Sequence, residues 1–165
     1  MTTNETSGTF YLLAGQALGK YLLQLGTEQI TLEFDYQPER HSNKYLGGNA
    51  ETQAGSYELQ AFGLMFGIAA HSRSRLRTAR SERVRCDRLK VANLLKRLYP
   101  DQSAFRTVYR CLRTTANLAL AEMPSENAIK QIVSMLGQRS TISESELKQI
   151  FILNGVVGPN TSKQI

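Results

Sequence analysis

Two histidines, His41 and His71, and two cysteines, Cys86 and Cys111, are the whole imidazole and thiol inventory of this chain. Such groups could ligate zinc or form a nucleophile–base pair. Neither histidine stands three or four residues from a second His or Cys, so a structural zinc site lacks its ligand set. Neither cysteine sits in a recognisable nucleophile context. Glu144 and Glu146 in "TISESELKQ" are close enough in sequence to suggest divided acid and base roles. Both fall in the first turn of an expected helix, where carboxylates complement the helix dipole and close a cap. "YLLAGQALGK" offers glycines and a lysine without the G-x-x-x-x-G-K-[ST] spacing of a phosphate loop. The sequence predicts no catalytic residue, no metal site, no cofactor and no enzyme activity.

Arginine supplies the remaining chemistry. "HSRSRLRTARSERVRCDR" runs from His71 to Arg88 with seven arginines and two acids, Glu82 and Asp87. Residues 73–113 hold thirteen of the twenty Lys and Arg but three of the fourteen acids, a local surplus of ten. The rest of the chain holds seven cations against eleven acids. A basic block on a slightly acidic body suggests a polyanion-binding surface. Arginine suits phosphate because its planar fork donates two parallel hydrogen bonds.

Helical phase sorts these residues. With Phe105 at zero, Arg106, Arg110 and Arg113 fall at about 100°, 140° and 80° on the helix wheel, in one stripe that Asn117 continues. Three like charges at this spacing mildly destabilise an isolated helix, which favours a binding role over a merely solvated face. A helix continued backwards from Val84 would turn Arg73, Arg77 and Arg80 toward the core, where unpaired guanidiniums cannot be buried. These residues and Arg75 must project from the fold or lie in a loop, with a break near Ser81. Arg85 and Arg88 flank the packed part of that helix and could join the stripe, making a groove between the third and fourth helices. Such a surface holds backbone and does not read bases. Tyr99 and Tyr109 could stack a base, although Tyr109 reads better as core.

Six apolar patterns position these residues. The first helix covers 9–25, with Phe10, Leu13, Ala14, Ala17, Leu18, Tyr21, Leu22 and Leu25 on one face and Leu12 and Leu23 elsewhere. Apolar on several faces, it should be central, and Gly26 should stop it. A short strand is expected near 30–36, where Ile30, Leu32, Phe34 and Tyr36 alternate with polar residues. A lone strand needs a partner, from this chain or another. A long polar loop over 38–55 follows. The second helix covers 57–70 with Leu59, Phe62, Phe66 and Ala69 inward. Gly15/Gly19 and Gly63/Gly67 suit close helix packing.

The third helix ends at Tyr99, with Val84, Val91, Leu94, Leu95 and Leu98 inward. The fourth, capped by Asp101 or Ser103, turns Phe105, Val108, Tyr109, Leu112, Ala116, Ala119 and Met123 inward. Pro124 and Ser125 separate it from a fifth helix with Ile129, Ile132, Val133 and Leu136, stopped at Gly137. The sixth starts at a capping box of Ser143 and Glu146, with Ile142 and Leu147 as hydrophobic staple, and ends at Asn154 and Gly155. The fifth and sixth resemble a helix-turn-helix in outline, but acids occupy the start of the second helix, so plain hairpin packing is the better reading.

The predicted fold is mostly α, a single bundle of about five to six helices over 9–155. Residues 1–8 and 156–165 are expected to be flexible ends. The cysteines read as buried or partly buried thiols in a reducing compartment. The apolar runs are too short or too interrupted to span a bilayer, and "MTTNETSG" has no signal pattern, so a cytoplasmic location without membrane contact is expected.

A basic, all-helical chain of this size resembles the small subunit of class 1 CRISPR effector (Cascade-like) complexes. The resemblance is architectural. It covers roughly 57–153, through the helix succession and the stretches "RSRLRTARSERVRCDRLK" and "FRTVYRCLRTT". It implies a non-enzymatic subunit of an antiviral ribonucleoprotein complex that binds DNA or RNA through basic faces. The apolar 59–70 run would then meet neighbouring protein subunits, copies of itself among them. Two other readings stand beside it: a dimeric DNA-binding regulator, and a basic adaptor for an acidic protein partner.

Overall fold

The computed structural model describes residues 3–23, 30–31, 50–74 and 82–158, with side chains over 8–23, 57–74 and 82–158. The described residues form six helices and two very short strands, in the order α1 (Thr3–Leu22), β1 (Ile30–Thr31), α2 (Ala50–Arg73), α3 (Glu82–Leu98), α4 (Gln102–Ala121), α5 (Met123–Gln138), β2 (Thr141–Ile142) and α6 (Glu144–Leu153). The mostly helical bundle expected from the apolar periodicity is what the chain builds.

Small residues set its centre. α1 buries Leu12, Leu13, Ala14, Ala17 and Leu18, which occupy more than one face. A helix apolar nearly all round must be surrounded, and α1 packs on α2, α5 and α6. Its closest approach is to α2. A β-carbon at Gly15 would come to 2.5 Å from Ala70 Cβ and 2.6 Å from the Phe66 carbonyl oxygen. One at Gly67 would meet Gln16 Cγ at 2.6 Å and the Leu12 carbonyl oxygen at 2.8 Å. Gly15 and Gly67 therefore let the two helices meet at backbone distance. α2 in turn packs on α3 and α4, so the α1–α2 pair positions the basic helices.

Several boundaries and faces differ from expectation. α1 starts at Thr3, and its Gly8 is already buried against His71. The helix ends at Leu22; Leu25 and Gly26 lie outside the described residues. α2 begins at Ala50, inside the expected loop, and reaches Arg73. Leu59 is exposed and Phe62 half-buried, because the face that meets α1 is the one carrying Ala61, Met65, Phe66, Ala69 and Ala70. That run fills the core, which leaves little of it for a neighbouring subunit. Met123 is 72 % exposed as the first residue of α5, and Leu120 takes its place inward. Pro124 does not separate two helices; it stands in the first turn of α5, where its missing N–H has no helical partner to lose. Gly137 lies within α5, which runs on to Gln138. Cys111 is exposed and Cys86 half-buried, both as free thiols.

The strand near Ile30 has its partner in the same chain. β1 pairs antiparallel with β2, Ile30 opposite Ile142 and Thr31 opposite Thr141. Residues 32–36 lie outside the described residues. α6 begins as predicted. The Ser143 N–H donates to Glu146 Oε2 (2.9 Å) and the Glu146 N–H donates to Ser143 Oγ (3.3 Å), a reciprocal capping box. Its end carries a Schellman motif: Gly155, at φ 77°, donates to the Ile152 carbonyl and Val156 to that of Phe151. This fixes Val156 in the core, and Gly158 lies against the Tyr21 ring, so the chain end expected to be loose is packed as far as 158. Ser143→Ala should cost about 1 kcal/mol through the lost cap. Urea unfolding checks this as a lower midpoint at unchanged slope.

One buried polar contact crosses the centre. Gln16 Nε2 of α1 donates to Asp87 Oδ2 of α3 at 2.8 Å, and Asp87 is buried. Asp87 stands between Val84 and Val91 at core spacing. The missing side chain at Gly67 leaves the room that Gln16 occupies.

Candidate nucleic-acid interface

α4 is a rigid bar with a defined start. Asp101 caps it, accepting from the Ala104 N–H at 2.9 Å. Leu112, Ala116 and Leu120 are buried on its inner face, with Phe105, Val108, Tyr109 and Ala119 half-buried beside them. This fixes the phase of the whole helix, and with it the arginine stripe. Arg106, Arg110 and Arg113 are exposed, and among the described residues none of their side chains makes a hydrogen bond or ion pair. They span about 10 Å of helix at 1.5 Å per residue. α4 itself contains no acidic residue. Asn117, expected to extend the stripe, does not: its side-chain amide donates back to the Arg113 carbonyl at 3.0 Å, and the residue is half-buried.

Beside Arg106 and Arg110 lies a shallow hollow of about 380 Å³, lined among the described residues by these two and by Gln102, Ser103 and Thr107. The Thr107 hydroxyl donates to the Ser103 carbonyl. The uncharged members were not singled out from sequence, yet Gln102 and Ser103 stand four and three residues before Arg106, on the same flank.

The other expected residues are dispersed. α3 runs from Glu82; Ser81, where a break is one of the two expectations, and Arg75, Arg77 and Arg80 lie outside the described residues. Arg73 belongs to the last turn of α2 and not to a backward extension of α3. It is exposed, and its charge adds to the effect of Lys130, whose hydrogen bond holds the Glu126 carboxyl below its ordinary range. Arg85 is exposed and loosely paired with Glu82 at 3.8 Å. Arg88 is exposed, and its charge is felt at His71. No α3 residue is among the described residues lining the hollow, so the described depression follows α4 rather than a groove between α3 and α4.

Aromatic rings are not offered to bases here. Tyr109 is half-buried with its ring 6.0 Å from that of Phe105, and Lys96 Nζ lies 5.7 Å over the Phe105 ring. The Tyr99 hydroxyl donates to Glu58 Oε1 at 3.5 Å, and burial with the nearby Glu58 carboxylate pushes its pKa up. Among the described residues no three of His, Cys, Asp and Glu gather as metal ligands. No described helix is long and apolar enough to cross a membrane.

Protonation of His71 should cost the fold stability in acid. Burial, and second the charge of Arg88, hold its imidazole below the ordinary value of 6.5. Below 6.5 the unfolded chain therefore binds more protons than the folded one, until the lowered value is passed. The stability it contributes is complete above that range and lost as the pH falls through it. The urea midpoint should drop as the pH falls below about 6.5, and His71→Gln should flatten this drop. An unchanged slope in the variant would assign the acid sensitivity to other groups.

No protein-family model matches the chain, and no curated protein matches it.

Proposed function

We propose that this protein is a non-catalytic nucleic-acid-binding subunit that holds a DNA or RNA backbone irrespective of sequence. The observation that carries this is the stripe of Arg106, Arg110 and Arg113, exposed, without partners among the described residues, on a helix that contains no acid. Guanidiniums spaced along one helix flank can follow successive phosphates with charge-assisted, bidentate hydrogen bonds. Contacts of this kind position a strand and carry no base readout. The engaged Tyr99 and Tyr109 rings support backbone holding over base stacking. Arg73, Arg85 and Arg88 would widen the basic field around the stripe.

The resemblance to small subunits of class 1 CRISPR effector complexes supports a place in a cytoplasmic multi-protein ribonucleoprotein complex. Neighbouring subunits would meet exposed apolar residues such as Ile152, Leu153 and Val157. The test is fluorescence anisotropy with labelled single- and double-stranded oligonucleotides of unrelated sequence at low salt. The expected result is similar affinity for all sequences of one form. A sharp preference for one duplex would instead indicate a regulator. No binding at all would leave an adaptor for an acidic protein.

A further inference from the structure

The hollow of about 380 Å³ on α4 has a lining of two kinds. Arg106 and Arg110 are cationic donors. Gln102, Ser103 and Thr107 are uncharged, and each brings an acceptor oxygen. The Thr107 hydroxyl donates its proton to the Ser103 carbonyl at 3.0 Å, so toward a ligand it has only lone pairs left to offer. Gln102 and Ser103 are exposed, and among the described residues their side chains make no hydrogen bond. The nearest acid in sequence, Asp101, accepts from the Ala104 N–H at 2.9 Å and is not among the described residues of the lining.

Acceptors are misplaced in a seat for phosphate alone, because phosphate oxygens are themselves acceptors. They suit a base, whose N–H groups need them. Size agrees. Pockets for small organic ligands run from about 300 to 1,000 Å³, and a lone phosphate would leave most of this hollow empty. Arginine serves both halves of a nucleotide: its edge forks onto the phosphate, and its planar face stacks on a base. Bases paired in a duplex keep their edges and faces for each other, so only an unpaired nucleotide can enter. We propose that the hollow is a nucleotide seat: it takes one unpaired nucleotide of the bound strand, phosphate on Arg106 and Arg110, base against Gln102, Ser103 and the guanidinium faces. This rests on the nucleic-acid reading above and names the unit that the first two arginines of the stripe hold. The seat tolerates any base, because the Gln102 amide can turn over and exchange its donor for its acceptor.

The test compares, by anisotropy with the full chain at constant salt, a labelled single-stranded oligonucleotide and an abasic strand with the same number of phosphates. The abasic strand should bind about five- to tenfold more weakly, the loss expected for one base contact. Gln102→Ala combined with Ser103→Ala should bring the two strands to similar affinity and leave the salt slope unchanged, because no phosphate contact is lost. Both residues are exposed, so the fold should tolerate the exchange. Arg113→Gln, outside the hollow, should weaken both strands alike and keep the difference between them. A nucleoside monophosphate should displace the labelled strand at lower concentration than ribose 5-phosphate of equal charge. Equal affinity for the two strands in the wild type overturns the seat and leaves the nucleic-acid reading standing. So does a difference that survives the loss of Gln102 and Ser103. Absence of binding to every strand overturns the nucleic-acid reading, and the seat with it.

Discussion

Replacing Arg106, Arg110 and Arg113 together by glutamine weakens binding to every oligonucleotide alike and makes the remaining affinity less sensitive to salt. The expectation follows from counterion release. Each phosphate neutralised contributes a log–log salt slope of about −0.7 for single strands and −0.9 for duplex. Three lost contacts remove a slope of about 2 to 3. Between about 50 and 200 mM salt the wild type should therefore lose roughly 20-fold more affinity than the variant on single strands, and roughly 40-fold more on duplex. Glutamate in place of glutamine should weaken binding further. The three side chains are exposed and have no partners among the described residues, so the fold should not suffer. Removing three like charges at helical spacing should even stabilise α4 slightly. An equal salt slope in variant and wild type would show that the stripe makes no phosphate contacts.

The second large effect concerns two glycines with opposite outcomes. Gly15→Ala should destabilise the protein by about 1–3 kcal/mol despite alanine's better helix propensity. Its new methyl group would lie 2.6 Å from the Phe66 carbonyl oxygen and 2.5 Å from Ala70 Cβ, and relief requires α1 and α2 to separate. Gly137→Ala should stabilise by up to about 1 kcal/mol. Gly137 is exposed within α5, and a β-carbon there meets nothing within 4 Å. Thermal melts should move in opposite directions, by roughly 2–4 °C per kcal/mol. A Gly15→Ala protein as stable as wild type would rule out the backbone-distance contact between α1 and α2.

The apolar period made the helices legible, and with them the phase of the arginine stripe. Phe105, Leu112 and Ala116 fix α4 by themselves, because a helix can bury only one stripe and the arginines fall beside it. The capping box at Ser143 was equally plain, since its reciprocal bonds are local to one turn. Burial set by neighbours was not. Leu59 and Met123 have core spacing and are exposed, because α2 turns Ala61, Met65, Phe66, Ala69 and Ala70 inward and Leu120 takes the inward place at the end of α4. Asp87 lies at a core spacing between Val84 and Val91 and was not read as buried, because a carboxylate there needs a donor from another helix. Gln16, 71 residues away, supplies it. By helical phase Asn117 reads as continuing the binding stripe, but its amide donates to its own helix's Arg113 carbonyl.

Local period and capping chemistry by themselves determined the helical class, the stripe of Arg106, Arg110 and Arg113, and the start of α6 at Ser143. Tertiary structure alone decided that β1 pairs with β2 and that Arg88 of α3 is felt at the half-buried His71 of α2. It also decided that the described hollow follows α4 rather than the space between α3 and α4. The physical reason is range. Period and caps act within one or two turns, whereas pairing, burial and charge contacts depend on which distant segment the close α1–α2 packing brings near.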